Sequence, residues 1–380
     1  MCIRDRINIP RDYLYGQIDA EISQPQLIER SAGGADSLAE AARLLGEAKF
    51  PVILSGGGVA MANGVQEVRM LAEFLSAPVA TTYLHNDAFP ASHKLMCGPL
   101  GYQGSKTAMR IIRQADVVLA LGTRLGPFGT LPQHDLDYWP QQAKIIQVDP
   151  SAKELGRNRA ISIGLLGNIG AVVDQMTSSA MQKKWTRVKP WTDQLTTSRK
   201  SQLEKLEKNA SDEMPLHPIR VYKEISKYVD EDSVLVFDGG DYVQWGRSFL
   251  KARKPGHFQR LGPLSHLGAA VPYAMAAKLA YPDSKVVAFS GDGAFGFYSM
   301  EYDTAIRHNI NITTVLGNDH TWGIDKTFQV AYYNRAVGTD LRPIRYDKVV
   351  EAIGAYTEHV DKPADVGPAV GRALNSRRPA

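Results

Sequence analysis

The sequence predicts an α/β protein built on two doubly wound, mostly parallel sheets, and three observations carry that prediction. Short, continuous apolar runs recur, such as ADVVLAL at 115–121 and VVAF at 286–289. Each is too uniformly apolar for a half-exposed strand and suits one buried on both faces. Stretches with helical spacing separate the runs, which is the βαβ pattern. A highly charged segment of low apolar periodicity, 181–215, then divides the pattern in two. The length of 380 residues suits two domains, and a hydrophobic content of 44% can supply their cores.

Taken in order, the chain opens with INIPRD at 7–12, which reads as a strand closed by a proline. A strand with no sheet beside it reads as the end of a preceding domain, and the six residues before it are expected not to be native. A polar connector with Pro25 spans 13–33. Helical spacing follows at 37–48, 66–74 and 105–114. Strands are expected at 51–54, 78–82, 115–121, 144–148 and 161–165, giving a first doubly wound domain over about 30–178. Residues 179–215 read as a linker with one helical segment. The second domain, 216–380, has a helix at 221–228, a buried strand SVLVF at 233–237 and a small-residue helix at 265–280. Helices at 346–355 and 364–377 follow, and a closing strand is expected beyond them, so the C-terminus also reads as clipped.

Composition argues against several function classes. The net charge of +4 is small and no dense Lys/Arg block exists, so no nucleic-acid partner is expected. No run approaches 18 apolar residues, so no membrane partner is expected. Only two cysteines, Cys2 and Cys97, are present. That gives no disulfide framework or cysteine metal site and leads to an expected cytoplasmic location, with no secretory signal at the start.

The chemistry concentrates at 285–323. The apolar run 286–289 ends in Gly291-Asp292-Gly293, helical spacing follows at 299–308, and a second run at 310–316 ends in Gly317-Asn318-Asp319. If the two strands are parallel, their carboxyl ends share one sheet edge. Asp292 and Asp319, 27 positions apart, then meet there. Two carboxylates beside a glycine-rich turn suit a divalent cation carrying a phosphorylated ligand. A lone Gly-Asp-Gly is as readily an ordinary tight turn; the Asn-Asp pair after the next buried strand favours the metal. The Gly56-Gly57-Gly58 turn after 51–54 offers a competing reading as a nucleotide site. Its fingerprint spacing is incomplete and a tight turn explains it better.

Gly291-Asp292-Gly293 followed by Asn318-Asp319 resembles the thiamine diphosphate signature of the acetolactate synthase-like decarboxylases, lyases and acyltransferases. The resemblance implies Mg²⁺ held by Asp292, Asp319 and the main-chain carbonyl of Thr321. Many members have Asn where this chain has Asp319, so the site carries an extra negative charge. A register slip of one would make Asn318 the ligand. The resemblance also implies that Asp238, Gly239, Gly240, Gly291, Gly293, Ala294 and Asn318 lie near the cofactor phosphates. Leu267 would wedge the cofactor into its bent form, or is a plain core leucine. His266 and His320 are candidates for substrate contact, though lone histidines are more often structural. Arg124, Lys106 and His134 are candidates for meeting an anionic group.

The resemblance covers almost the whole chain: 1–12 as the end of a pyrimidine-binding domain, then a central domain, then a diphosphate-binding domain. The first half resembles the sulfoacetaldehyde acetyltransferases, through INIPRD, AKFPVIL, HNDAFP, PLGYQGSKTAM and TLPQHDLDYWP. The second half also resembles acetolactate synthase-like and 2-hydroxyacyl-CoA lyase-type members, so the halves differ in the subfamily they indicate. The implied reaction converts sulfoacetaldehyde and phosphate to acetyl phosphate and sulfite. Family active sites form between two subunits, so self-association as a dimer or tetramer is implied, with a small anionic substrate. The activating glutamate belongs to the pyrimidine-binding domain and no Glu here matches it, so no catalytic residue is assigned. These residues alone are expected to bind the cofactor weakly and not to turn over.

Overall fold

The computed structural model describes residues 8–22, 24, 30–182, 192–260, 262 and 266–380. Two sheets form where the apolar runs lie. The first contains β1 (Pro51–Ser55), β2 (Val79–Thr82), β3 (Met96–Leu100), β4 (Val117–Leu121), β5 (Lys144–Asp149) and β6 (Ile163–Leu166), in the order β3-β2-β1-β4-β5-β6. Every neighbouring pair is parallel. The order reverses between β1 and β4, as double winding requires. The second contains β7 (Val234–Asp238), β8 (Phe258–Arg260), β9 (Val286–Gly291) and β10 (Thr313–Gly317), in the order β10-β9-β7-β8 and again all parallel. β1, β4 and β7 are buried along their whole length, because unbroken apolar strands need cover on both faces. Phe237 and Phe289 stack at 5.0 Å and Tyr222 meets Phe289 at 5.2 Å in the second core.

Several elements differ from expectation. β3, sequence MCGPL, was not foreseen because Pro99 cannot donate to a ladder; its edge position removes that objection. β8 is a three-residue edge strand. The helices Asp241–Phe249, Asp292–Tyr298 and Gly323–Tyr333 were also missed. Asp292–Tyr298 (DGAFGFY) has weak intrinsic helix preference, and burial of Ala294 and Phe295 anchors it instead. The helix expected at 299–308 is Glu301–Arg307.

The strand expected at 7–12 needs correcting. Residues 1–7 lie outside the described residues, and Arg11–Tyr15 form a 3-10 turn with no buried residue. Pro25 also lies outside the described residues, as do 183–191 of the linker. The linker's helix, Thr192–Glu207, is docked rather than free. Leu195 is fully buried in the first core, and Arg199 donates to the carbonyls of Ala91 and His93 at 2.8 Å each. At the far edge of the second sheet, Ala380 bonds to both Thr314 and Ile312 beside β10. No helix among the described residues is long and apolar enough to cross a membrane.

Candidate functional site

Because β7, β9 and β10 are parallel neighbours, their carboxyl ends share an edge, and the register pairs Gly317 with Gly291. Asp292 follows β9 at once as the first residue of its helix, and is buried. Its carboxylate accepts the amide of Gly293 at 2.9 Å, and the amide of His320, in the loop after β10, also favours its ionised form. His320 has φ of 58°, a left-handed conformation costly for a non-glycine residue. Burial raises the pKa of Asp292 above the ordinary carboxylate range, and the charge of Asp319 raises it further against the two amides.

Asp319 stands at the exposed rim. Partial desolvation of its carboxyl raises its pKa, with the charge of Asp241 adding to the effect, while the Thr321 amide at 3.3 Å opposes it. The charge of Asp319 thus acts on Asp292, and that of Asp241 on Asp319, along one rim. Thr321 is pinned beside them, its hydroxyl donating to the Thr339 carbonyl at 2.9 Å. Hard oxygen donors that repel one another are the donor set a divalent cation stabilises, so the residues present fit Mg²⁺. Asn318 behaves differently: its amide donates to the Ile344 carbonyl at 2.9 Å.

The glycine turns pack against one another. Gly239 has φ of 126°, and a Cβ there would lie 3.3 Å from the Gly291 amide and 3.7 Å from Ala294. Gly240 sits under Ile324, while the space beside Gly291 is open. Leu267 is half-buried in the turn before the helix Ala270–Ala280. His266 is exposed beside Tyr298, at 6.2 Å between ring centres.

The Asp238 carboxylate accepts the amides of Gly268 at 3.3 Å and Ala270 at 2.8 Å, anchoring the start of the helix Ala270–Ala280. The Gly293 amide is taken by Asp292, and the Trp322 ring lies over Gly293, where a Cβ would come within 2.5 Å. Arg124, Lys106 and His134 sit on exposed positions around the first sheet, where the His134 ring bonds the Gly104 carbonyl at 3.0 Å. Sequence reading missed Asp241 and Trp322, although Asp241 stands in view in the Asp-Gly-Gly-Asp turn.

Burial pushes the Asp238 pKa up to about 6, outweighing the two amides that oppose it. A carboxyl raised above its unfolded value binds more protons when folded, so its contribution to stability falls as pH rises from about 4 to 6. Asp238→Asn removes that loss. The variant is expected to gain roughly 2–3 kcal/mol relative to wild type between pH 4 and pH 7, read by urea unfolding at both. A constant difference would show that the carboxyl titrates normally.

The Gly56–Gly58 turn has its own answer. A Cβ on Gly56 would lie 2.5 Å from the Gly122 carbonyl, and one on Gly58 2.7 Å from Gly122 Cα. The crevice at the β1/β4 switch point is filled by these two turns in contact, which is the role of close packing rather than of a ligand cradle.

A parallel-sheet edge with two acidic turns and abutting glycine turns is the kind of edge on which α/β enzymes hold a phosphorylated cofactor. Residues 38–176 match the thiamine pyrophosphate enzyme, central domain, and residues 238–380 match the thiamine pyrophosphate enzyme, C-terminal TPP binding domain. The chain belongs to the thiamine pyrophosphate (thiamine diphosphate) enzyme family. It is 44% identical to the sulfoacetaldehyde acetyltransferase of Castellaniella defragrans over 98% of this chain and 66% of that protein. It is 41% identical to that of Alcaligenes xylosoxydans xylosoxydans over 97% of this chain and 65% of that protein. Identity to an acetolactate synthase large subunit of Mycobacterium tuberculosis is 33%, over 98% of this chain and 66% of that protein. The chain thus spans about two thirds of the length of the curated relatives it matches.

Proposed function

We propose that the protein is a Mg²⁺- and thiamine diphosphate-dependent acyltransferase that converts sulfoacetaldehyde and phosphate to acetyl phosphate and sulfite. The observation that supports the cofactor reading is the parallel pairing of β9 with β10, Gly317 opposite Gly291, which brings the acidic turns after both strands to one edge. The substrate reading draws support from the similarity to sulfoacetaldehyde acetyltransferases, at 44% and 41% identity.

In this reading Asp292, Asp319 and the Thr321 carbonyl hold the metal, and the open space beside Gly291 receives the diphosphate. When bound, the cofactor supplies the carbon that attacks the carbonyl and the electron sink for the cleavage that follows. The metal's part is to anchor. Asp292 and Asp319 must both be ionised to bind it, and both are shifted toward the protonated form. Cofactor affinity should therefore fall as pH drops, beginning above the ordinary carboxylate pKa of about 4. The protein is proposed to act in the cytoplasm as a homo-oligomer on a small anionic substrate.

The test is sulfite release from sulfoacetaldehyde, dependent on phosphate, Mg²⁺ and thiamine diphosphate, assayed on the complete gene product. The expected result is stoichiometric sulfite and acetyl phosphate. Acetolactate formation from pyruvate with no sulfite release would favour the second reading, an acetolactate synthase-type enzyme, which the 33% identity to acetolactate synthases supports.

A further inference from the structure

A second charged site lies one strand further along the same sheet edge, where β7 pairs with β8 and Phe237 is opposite Arg260. Phe237, Gly239, Val243, Gln244, Arg247 and Arg260 line a small recess of about 10 Å³ that opens to solvent. Arg247 reaches it from the helix Asp241–Phe249 and is only 4% exposed. Its guanidinium donates to the Gln244 side chain at 3.0 Å and to the carbonyls of Tyr83 at 3.3 Å and Gln103 at 2.8 Å. Arg260 donates to the same Tyr83 carbonyl at 3.3 Å and lies 4.8 Å above the Tyr83 ring.

Two like charges therefore share one neutral acceptor. Among the described residues, the groups of opposite charge tendency that face either guanidinium are the phenols of Tyr83 and Tyr102, and no carboxylate pairs with them. His85 also faces Arg260, whose charge opposes its protonation. Buried cations are normally paired, because desolvation without a counter-charge is costly. Burial, and then the charge of Arg260, pushes Arg247 down to about 9. Partial satisfaction by carbonyls leaves guanidinium donors with charge to neutralise, and paired guanidinium forks match tetrahedral oxyanions.

We infer that Arg247 and Arg260 form a subsite for a tetrahedral oxyanion, either orthophosphate or an alkyl sulfonate, beside the Gly239 turn. The site rests on the proposed reaction only for the role of its occupant, as acceptor phosphate or as substrate headgroup. It also spans the two sheets, because Tyr83 and Gln103 come from the first and both arginines from the second.

The test is calorimetric titration of the 380-residue chain with orthophosphate, and separately with ethanesulfonate, at fixed ionic strength, without Mg²⁺ or thiamine diphosphate. Saturable one-to-one binding is expected for at least one anion, beyond a chloride control. Tighter phosphate binding marks an acceptor subsite, and tighter ethanesulfonate binding a substrate-headgroup subsite. Arg260→Gln should weaken binding roughly tenfold or more, as loss of a charge-assisted bond does. If Arg260→Gln does not fold by circular dichroism, Arg260→Lys, which keeps the charge and loses the fork, is read in the same titration. Neither anion binding beyond chloride, or undiminished binding by the folded Arg260 variant, would overturn the inference. A chain that binds the oxyanion but never thiamine diphosphate would sink the cofactor reading and leave this one standing.

Discussion

Asp292→Ala is expected to weaken Mg²⁺-dependent thiamine diphosphate binding by at least about 100-fold, since losing a ligand exceeds the tenfold to hundredfold cost of losing a ligand's supporting partner. The carboxylate does two jobs at once. It is proposed to bind the metal, and it accepts the Gly293 amide at the start of its own helix, so that its loss also loosens that turn. Calorimetry on the wild-type chain and the variant, with and without Mg²⁺, separates the two contributions. Asp319→Asn should act differently, because an amide oxygen still serves the metal while repulsion from Asp292 and Asp241 is relieved. Affinity within about tenfold of wild type is expected there, set against the larger losses that follow removal of a ligand's support. Equal cofactor binding by Asp292→Ala and wild type would remove the metal assignment.

Gly122→Ala is expected to cost about 2–5 kcal/mol of folding stability, combining a left-handed backbone with an overpacked contact. Gly122 has φ of 57°, and its added Cβ would fall 2.6 Å from both Gly58 Cα and Ile169 Cδ1. Ile169 Cδ1 ends a buried side chain with little room to turn, and Gly58 Cα is backbone, so relief requires the β1 and β4 turns to part. Urea unfolding measures the loss. A variant as stable as wild type, or saturable binding of an adenine nucleotide to the wild-type chain, would show that these glycines are kept open for a ligand.

Much of the site was legible because it depends on local order. Gly-Asp-Gly after one buried strand and Asn-Asp after the next define one βαβ unit, whose handedness and parallel pairing put both carboxylates at one edge. The partners of the Asp238 carboxylate were not legible in the same way, because they are amides 30 and 32 positions later. Trp322 over Gly293 and the convergence of Arg247 with Arg260 were equally hidden. Each involves side chains whose partners lie on other elements, and no spacing rule reports them. Two of the missed elements have a composition that argues against their state: Pro99 in an edge strand, and glycines in the helix Asp292–Tyr298.

Hydrophobic periodicity and turn residues alone determined that this chain folds as two parallel α/β sheets and where the acidic edge lies. Burial of unbroken apolar runs admits few other arrangements. Tertiary structure decided which polar groups remain available at that edge. A carboxylate or guanidinium is free for a ligand only if no amide or carbonyl from elsewhere has already satisfied it, and that depends on three-dimensional proximity.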